Sequence, residues 1–370
     1  MTRQVTTIHG EPSYTLESDR IKLAVTRRGG HMGPVRFKLG NRWVSPYSLA
    51  PWKPDECAGN TPPILRVLRG DFLCLPFGGD GDYVHGETAN LTWRQVKSTS
   101  GHLRLRMKLK RPSGSVTKTI GIRPGERAVY QEHMVSGVEG RFNFGHHAIL
   151  KFPDDDGPYH INVSPFRYGS TKPEPFTDPA IGEYGALKVN ATFRSLDRVP
   201  LASGGMTSLG KVPAREGYED LVMVSSRPGD FAWTAATLDG YVWISLKDPR
   251  ILPSTLFWLS NGGRHYPPWN GRHRRRVGLE EVNSHFSDGL AVSRQDLLKK
   301  KGVPTTRAFS ANDPTCIRMI HVVHPVPKSF GRVERIERNG RGRSILLSNS
   351  QGKTVRVPVN WRFLYCADTE

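Results

Sequence analysis

Leu103-Arg104-Leu105-Arg106-Met107-Lys108-Leu109-Lys110 sets four apolar side chains against four cations in strict alternation. A strand projects successive side chains to opposite faces, so this octet reads as a half-buried strand with one wet, basic face. Outward from it, Pro112-Ser113-Gly114 supplies a turn, and Ser115 to Ile122 reads as the returning strand. Arg123-Pro124-Gly125-Glu126 makes the next turn, and Ala128 to Val135 follows. Strands joined by such short turns pair antiparallel, so the octet opens a meander.

The same grammar returns downstream. Leu221-Val222-Met223-Val224, Phe231-Ala232-Trp233-Thr234 and Tyr241-Val242-Trp243-Ile244-Ser245 are short β-branched or aromatic runs between Pro, Gly and Asp. Val333 to Glu337, Ser344 to Ser348 and Thr354 to Val359 follow near the end, with Asn339-Gly340 and Gln351-Gly352 at the turns. Helical periodicity is scarce; its best case is Ser293 to Lys301, with Ser293 as cap and Gly302 as stop. Pro153 to Glu183, rich in Pro, Gly and Asp, reads as long loops. The expected fold is all-β, a large twisted antiparallel β-sandwich over residues 1–305, with residues 306–370 as a β segment that completes or decorates it.

Composition narrows the function. The chain of 370 residues is 37% hydrophobic, enough for a sizeable core. No apolar run reaches the roughly 18 residues of a membrane helix, and the N-terminus shows no apolar leader. Four dispersed cysteines, Cys57, Cys74, Cys316 and Cys366, form no CxxC and fit reduced thiols in a cytoplasmic protein. Lys plus Arg number 53 against 34 Asp plus Glu, a net charge of +19. The cations are scattered and no nucleic-acid motif is present, so the expectation is neither a nucleic-acid nor a membrane partner. No P-loop, dinucleotide fingerprint or nucleophile elbow occurs. His321 and His324 would face opposite ways on a strand, and Asp154-Asp155-Asp156 lacks calcium-loop spacing, so neither cofactor nor metal is expected.

Three segments gather His, Glu, Trp, Asn and Arg among glycines: Pro76 to Glu87, Phe144 to Leu150, and Trp258 to Glu281. In the first, His85 is a loop histidine, a type more often plain polar surface than functional. In the second, His146 and His147 open a strand and point to opposite faces, so one can enter a cleft while the other packs. In the third, Glu280 and Glu281 alternate likewise within an apolar strand. A carboxylate there is costly unless hydrogen-bonded or used, which makes one a candidate general base. A structural ion pair with one of Arg272 to Arg276 explains it equally well. Trp269, Asn270, Arg272 and His273 form an aromatic and polar group of the kind that binds sugars: ring faces cover C–H patches while amides and guanidinium groups take hydroxyls.

In order, these segments resemble the aldose 1-epimerase, or galactose mutarotase-like, superfamily. The likeness rests on His85-Gly86 followed by Trp93, a strand-borne histidine at 146–147, and Gly278-Leu279-Glu280, with Arg28-Gly29-Gly30-His31-Met32 like its opening strands. It spans roughly residues 15–305 as an order of motifs. The resemblance implies a β-sandwich with a sugar cleft on one sheet face and an isomerase that interconverts anomers without a cofactor. By position it implies His147 as the acid at the ring oxygen and Glu280 as the base at the anomeric hydroxyl. It implies His85 as a sugar-binding residue, with His146 an alternative to His147. The arginines near the third segment hint at an acidic or phosphorylated sugar. A non-catalytic carbohydrate-binding protein on the same scaffold is the rival reading.

Overall fold

The computed structural model describes residues 5–79, 83–213, 215–340 and 342–365. Asp80, Gly81 and Asp82 of the first segment, and Cys366, lie outside the described residues. The octet lies in the strand His102–Leu109 but for Lys110 just beyond it, its Leu and Met buried and its cations exposed. It pairs antiparallel with Gly114–Ile122, and that strand with Ala128–Ser136, as the turns imply.

This meander forms one end of a nine-stranded sheet. The order from that end is Arg94–Ser98, His102–Leu109, Gly114–Ile122, Ala128–Ser136, Thr315–Pro325, Tyr241–Lys247, Ala232–Leu238, Tyr159–Val163 and Lys211–Val212. A seven-stranded sheet stacks on it, with Ser254–Asn261, Arg276–Asn283 and Phe144–Lys151 adjacent near its centre. Leu103, Leu105, Val116, Ile120 and Val129 of the first sheet share one buried cluster with Phe144, Ala148, Leu150, Phe257 and Leu279 of the second. The molecule is thus an all-β antiparallel sandwich.

Among the described residues four smaller sheets complete it, two of them of only two strands. Glu11–Glu17, Ile21–Thr26 and Met32–Leu39 form the centre of a five-stranded N-terminal sheet that joins the main core. Residues beyond 306 divide in two. Thr315–Pro325 is inserted centrally in the nine-stranded sheet, between Ala128–Ser136 and Tyr241–Lys247. Val333–Asn339, Ser344–Asn349 and Thr354–Pro358 form a separate three-stranded sheet. Its Val333, Ile336, Ile345 and Leu347 cover Trp233, Ala235, Val242 and Ile244 on that sheet's outer face.

Two local expectations are corrected. Pro153 to Glu183 is not all loop: Tyr159–Val163 and Phe166–Thr171 are strands within it. Tyr159–Val163 alternates in burial, but the Pro and Gly residues on either side hide it in the sequence, and Phe166–Thr171 shows no alternation. Ser293 ends a short helix, Gly289–Ser293, rather than capping a longer one. Its hydroxyl donates to Gly289 O and accepts from the His285 amide, tying the helix back to the preceding strand. Only Gly302 behaves as read, ending the single turn Lys299–Lys301 at φ +69°.

Candidate active site

The strand pair that builds the site is Phe144–Lys151 against Arg276–Asn283. The register sets His147 opposite Glu280 and His146 opposite Glu281. Cross-strand partners share a face and neighbours alternate, so one ladder presents two His/Glu pairs on its two sides. His147 and Glu280 point outward from the sandwich, and His146 and Glu281 point into it.

On the outer side, His147 Nε2 lies 3.3 Å from Glu280 Oε1. Gly278 makes room for this arrangement: a Cβ there would lie 2.4 Å from Glu280 Oε1 and 3.0 Å from Trp258 Cβ. The His147 ring stacks on Phe72 at 4.7 Å, and Phe72 stacks in turn on His31 at 3.9 Å, which fixes the imidazole plane. His85 meets His147 edge-on at 4.9 Å. Its Nδ1 accepts the Gly78 amide hydrogen at 3.1 Å, which leaves the ring proton on Nε2. Gly78 holds φ +70° with Ser287 O only 2.2 Å from a hypothetical Cβ, so the turn beneath His85 requires glycine.

These groups form the floor of a cleft of about 290 Å³, the lower end of small-molecule sites. Its walls are Trp258, Trp269, Phe176 and Leu221, with Arg264 among them. Arg264 lies over the Trp269 ring at 4.8 Å, and its Nε is 2.9 Å from Glu183 Oε1, so its charge is already balanced. Trp258 is held by its indole N–H, which donates to Glu219 Oε2 at 2.9 Å. Burial raises the Glu219 carboxyl to about 7.

Electrostatics follow from burial. Desolvation pushes Glu280 well above the ordinary carboxylate value and His147 well below the ordinary imidazole value, with His85 and His31 adding to the latter. Both side chains avoid charge, so burial favours the neutral pair, with one exchangeable proton between carboxyl and imidazole. His85 is lowered to about 4 by burial alone.

The inner pair has a different task. Glu281 is ion-paired with Lys247, both fully buried, and accepts from Thr234 Oγ1 at 2.8 Å and Thr255 Oγ1 at 2.7 Å. His146 Nδ1 lies 3.1 Å from Asp71 Oδ2, which also accepts from Gln131 Nε2 at 2.5 Å.

Buried neutral histidines make the fold acid-sensitive. His31, His85 and His321 are lowered from 6.5 to about 3, 4 and 4 by burial. Each takes up a proton on unfolding at any pH between its folded value and 6.5. Their stabilisation is full above 6.5 and declines as pH falls toward 4, by about 1.4 kcal/mol per pH unit for each. Glu219 and Glu280, raised when folded, oppose this down to about 4.5. His133, His147 and His273 are lowered as well, so the histidines prevail. The urea midpoint is expected to fall steadily from pH 6.5 to 4.5; a flat profile would contradict the buried neutral assignment.

A galactose mutarotase-related enzyme from Lactobacillus acidophilus superposes at TM-score 0.54 and 12% identity, over 85% of this chain and 98% of its own. A candidate aldose 1-epimerase from Escherichia coli K12 does so at 0.58 and 13%, over 86% and 100%. A galactose mutarotase-like protein from Lactobacillus casei ATCC 334 gives 0.55 and 12%, over 84% and 100%. The chain has the galactose mutarotase-like fold. Neither the comparison with family models nor that with curated proteins gives a match.

Within the galactose mutarotase-like fold, the sequence-predicted residues separate. His85, His147, Glu280 and Trp269 line the cleft. His146 lies on the inner side with Asp71. His273 sits behind the wall, stacked on Trp258 at 5.1 Å and bonded to Ser260 Oγ. Arg272 is paired with Glu56 at 2.6 Å, and Asn270 is exposed in a left-handed turn. The Arg272 to Arg276 run leaves Glu280 alone: Arg274 takes Glu216, Arg275 takes Asp156, and Arg276 donates to Ser48. Arg264, Phe176 and Ser287 line the cleft but were not singled out in the sequence, since each stands in a loop with no local pattern. Among the described residues no three His, Cys, Asp or Glu are placed to hold a metal, and no helix is long and apolar enough to cross a membrane.

Proposed function

We propose that the cleft binds an aldose and that His147 and Glu280 interconvert its anomers. The observation that carries this reading is the His147–Glu280 contact at the floor of an aromatic-walled cleft. Ring opening removes the proton from the O1 hydroxyl and delivers one to O5 as the C1–O5 bond breaks. The product is an open-chain aldehyde. Rotation about C1–C2 presents the other carbonyl face, and closure returns both protons. A pair that shares one proton has one to give and one lone pair to receive, and closure swaps the roles. Trp258, Trp269 and Phe176 suit the C–H faces of the ring. Arg264 and His85 Nε2–H supply donors for its oxygens. Because Glu183 balances Arg264, the cleft suits a neutral hexose as well as a phosphorylated one.

Anomer exchange of common hexoses, their phosphates and uronates, followed by NMR, tests the proposal. Acceleration of at least one sugar is expected. Binding shifts without acceleration in any of them would leave a carbohydrate-binding cleft and remove the isomerase. The pH profile adds a second check. Protonating the pair a second time creates a buried cation, so the acid limb of kcat/KM is expected below the ordinary histidine value of 6.5. An acid limb at or above 6.5 would exclude His147 from the titrating pair.

A further inference from the structure

The outer face of the nine-stranded sheet is covered unequally. The three-stranded C-terminal sheet hides its middle, over Trp233, Val242 and Ile244. Among the described residues the end formed by Arg94–Ser98 and His102–Leu109 carries no such cover, and its outward side chains Arg94, Lys97, Arg104, Arg106 and Lys108 are exposed. The register sets Arg94 opposite Arg106 and Lys97 opposite Arg104. Like charges directly across a ladder destabilise it. Among the described residues none of these five cations has a carboxylate partner, whereas the Arg272 to Arg276 cluster is consumed by ion pairs and hydrogen bonds. A register shift between Gln95 and Lys97 turns Lys97 back to the outer face beside Arg104. Three of the five stand in the alternating octet, and the pairing of the two strands sets Arg94 and Lys97 beside them.

We propose that this bare sheet end binds the phosphodiester backbone of a nucleic-acid duplex without reading its sequence. Alternate side chains of a strand stand roughly 6.6–6.8 Å apart, close to twice the roughly 3.4 Å axial charge spacing of each duplex strand. Three of the five cations are arginines, whose fork matches phosphate oxygens. The next strand adds Ser115, Thr117 and Thr119 in register with Lys108, Arg106 and Arg104, and hydroxyls of this kind contact phosphates. His102 is the one ring among the outward residues of these three strands, at the far end of its strand from Lys108, and a single ring argues for backbone contact over stacking on a run of unpaired bases.

The test is fluorescence anisotropy of a short labelled duplex DNA with the full chain, at salt from about 50 to 200 mM. Five neutralised phosphates predict a slope of log K against log salt near −4 to −5. Arg104→Gln with Arg106→Gln is expected to reduce that slope by about 2 and to weaken low-salt binding by about 10–100-fold. Arg274→Gln with Arg335→Gln removes equal charge from residues paired with Glu216 and Glu337, and is expected to leave binding near its original strength. The proposal is overturned by absent saturable binding at low salt or by equal loss in both double variants. Tighter binding to a sulfated polysaccharide or to anionic lipid vesicles than to the duplex also overturns it.

Discussion

Replacing Glu280 with Gln is expected to lower catalysed anomer exchange by about 10²–10⁴-fold, the usual worth of one positioned acid/base group. Gln keeps the shape and can still bond His147 Nε2, but it cannot pass the shared proton on. Stability is expected to hold or rise, because burial already disfavours the Glu280 anion. Thermal unfolding of the variant separates lost chemistry from lost fold. Wild-type rates in a folded Glu280→Gln protein would remove this carboxyl from the reaction.

The second large effect concerns the opposite side of the same strand. Lys247→Met is expected to destabilise the fold by about 3–5 kcal/mol, because Glu281 would remain buried without its cation. Lys247 also donates to Ser254 O at 2.7 Å and Thr255 Oγ1 at 2.8 Å, so its loss also leaves acceptors unfilled. Adding Glu281→Gln removes the orphaned charge while keeping an acceptor for Thr234, and should recover much of the loss. Urea midpoints at unchanged m-value measure both. A single-variant cost below about 1 kcal/mol would show that water or a neighbour replaces the lysine.

These two residues show what a sequence discloses. The alternation from Leu103 to Lys110 specified a strand and its faces, since period two survives any tertiary context that keeps one face buried. The same alternation separated His146 from His147 and Glu280 from Glu281, and it made one carboxylate of the second pair suspect. It left open which one faces the cleft, because Val277 to Val282 is apolar on both sides. The partners that resolve the question come from afar: Asp71 reaches His146 across 75 positions, and Lys247 reaches Glu281 from another sheet. The cleft walls were less legible still. Phe176 and Arg264 stand in loops where no periodicity constrains them, and Glu183 is needed to balance the latter. Trp269 was visible as an aromatic in a Pro/Gly loop, but Asn270 and Arg272 beside it turn elsewhere.

The His147/Glu280 and His146/Glu281 rungs are adjacent on one ladder and carry the same two residue types. Deleting or inserting a single residue in one of the two strands would turn that strand's side chains to the opposite faces while its partner's stayed, parting each histidine from its glutamate. Both pairs would be lost together. Libraries aimed at altering this cleft should vary side chains and keep strand length fixed.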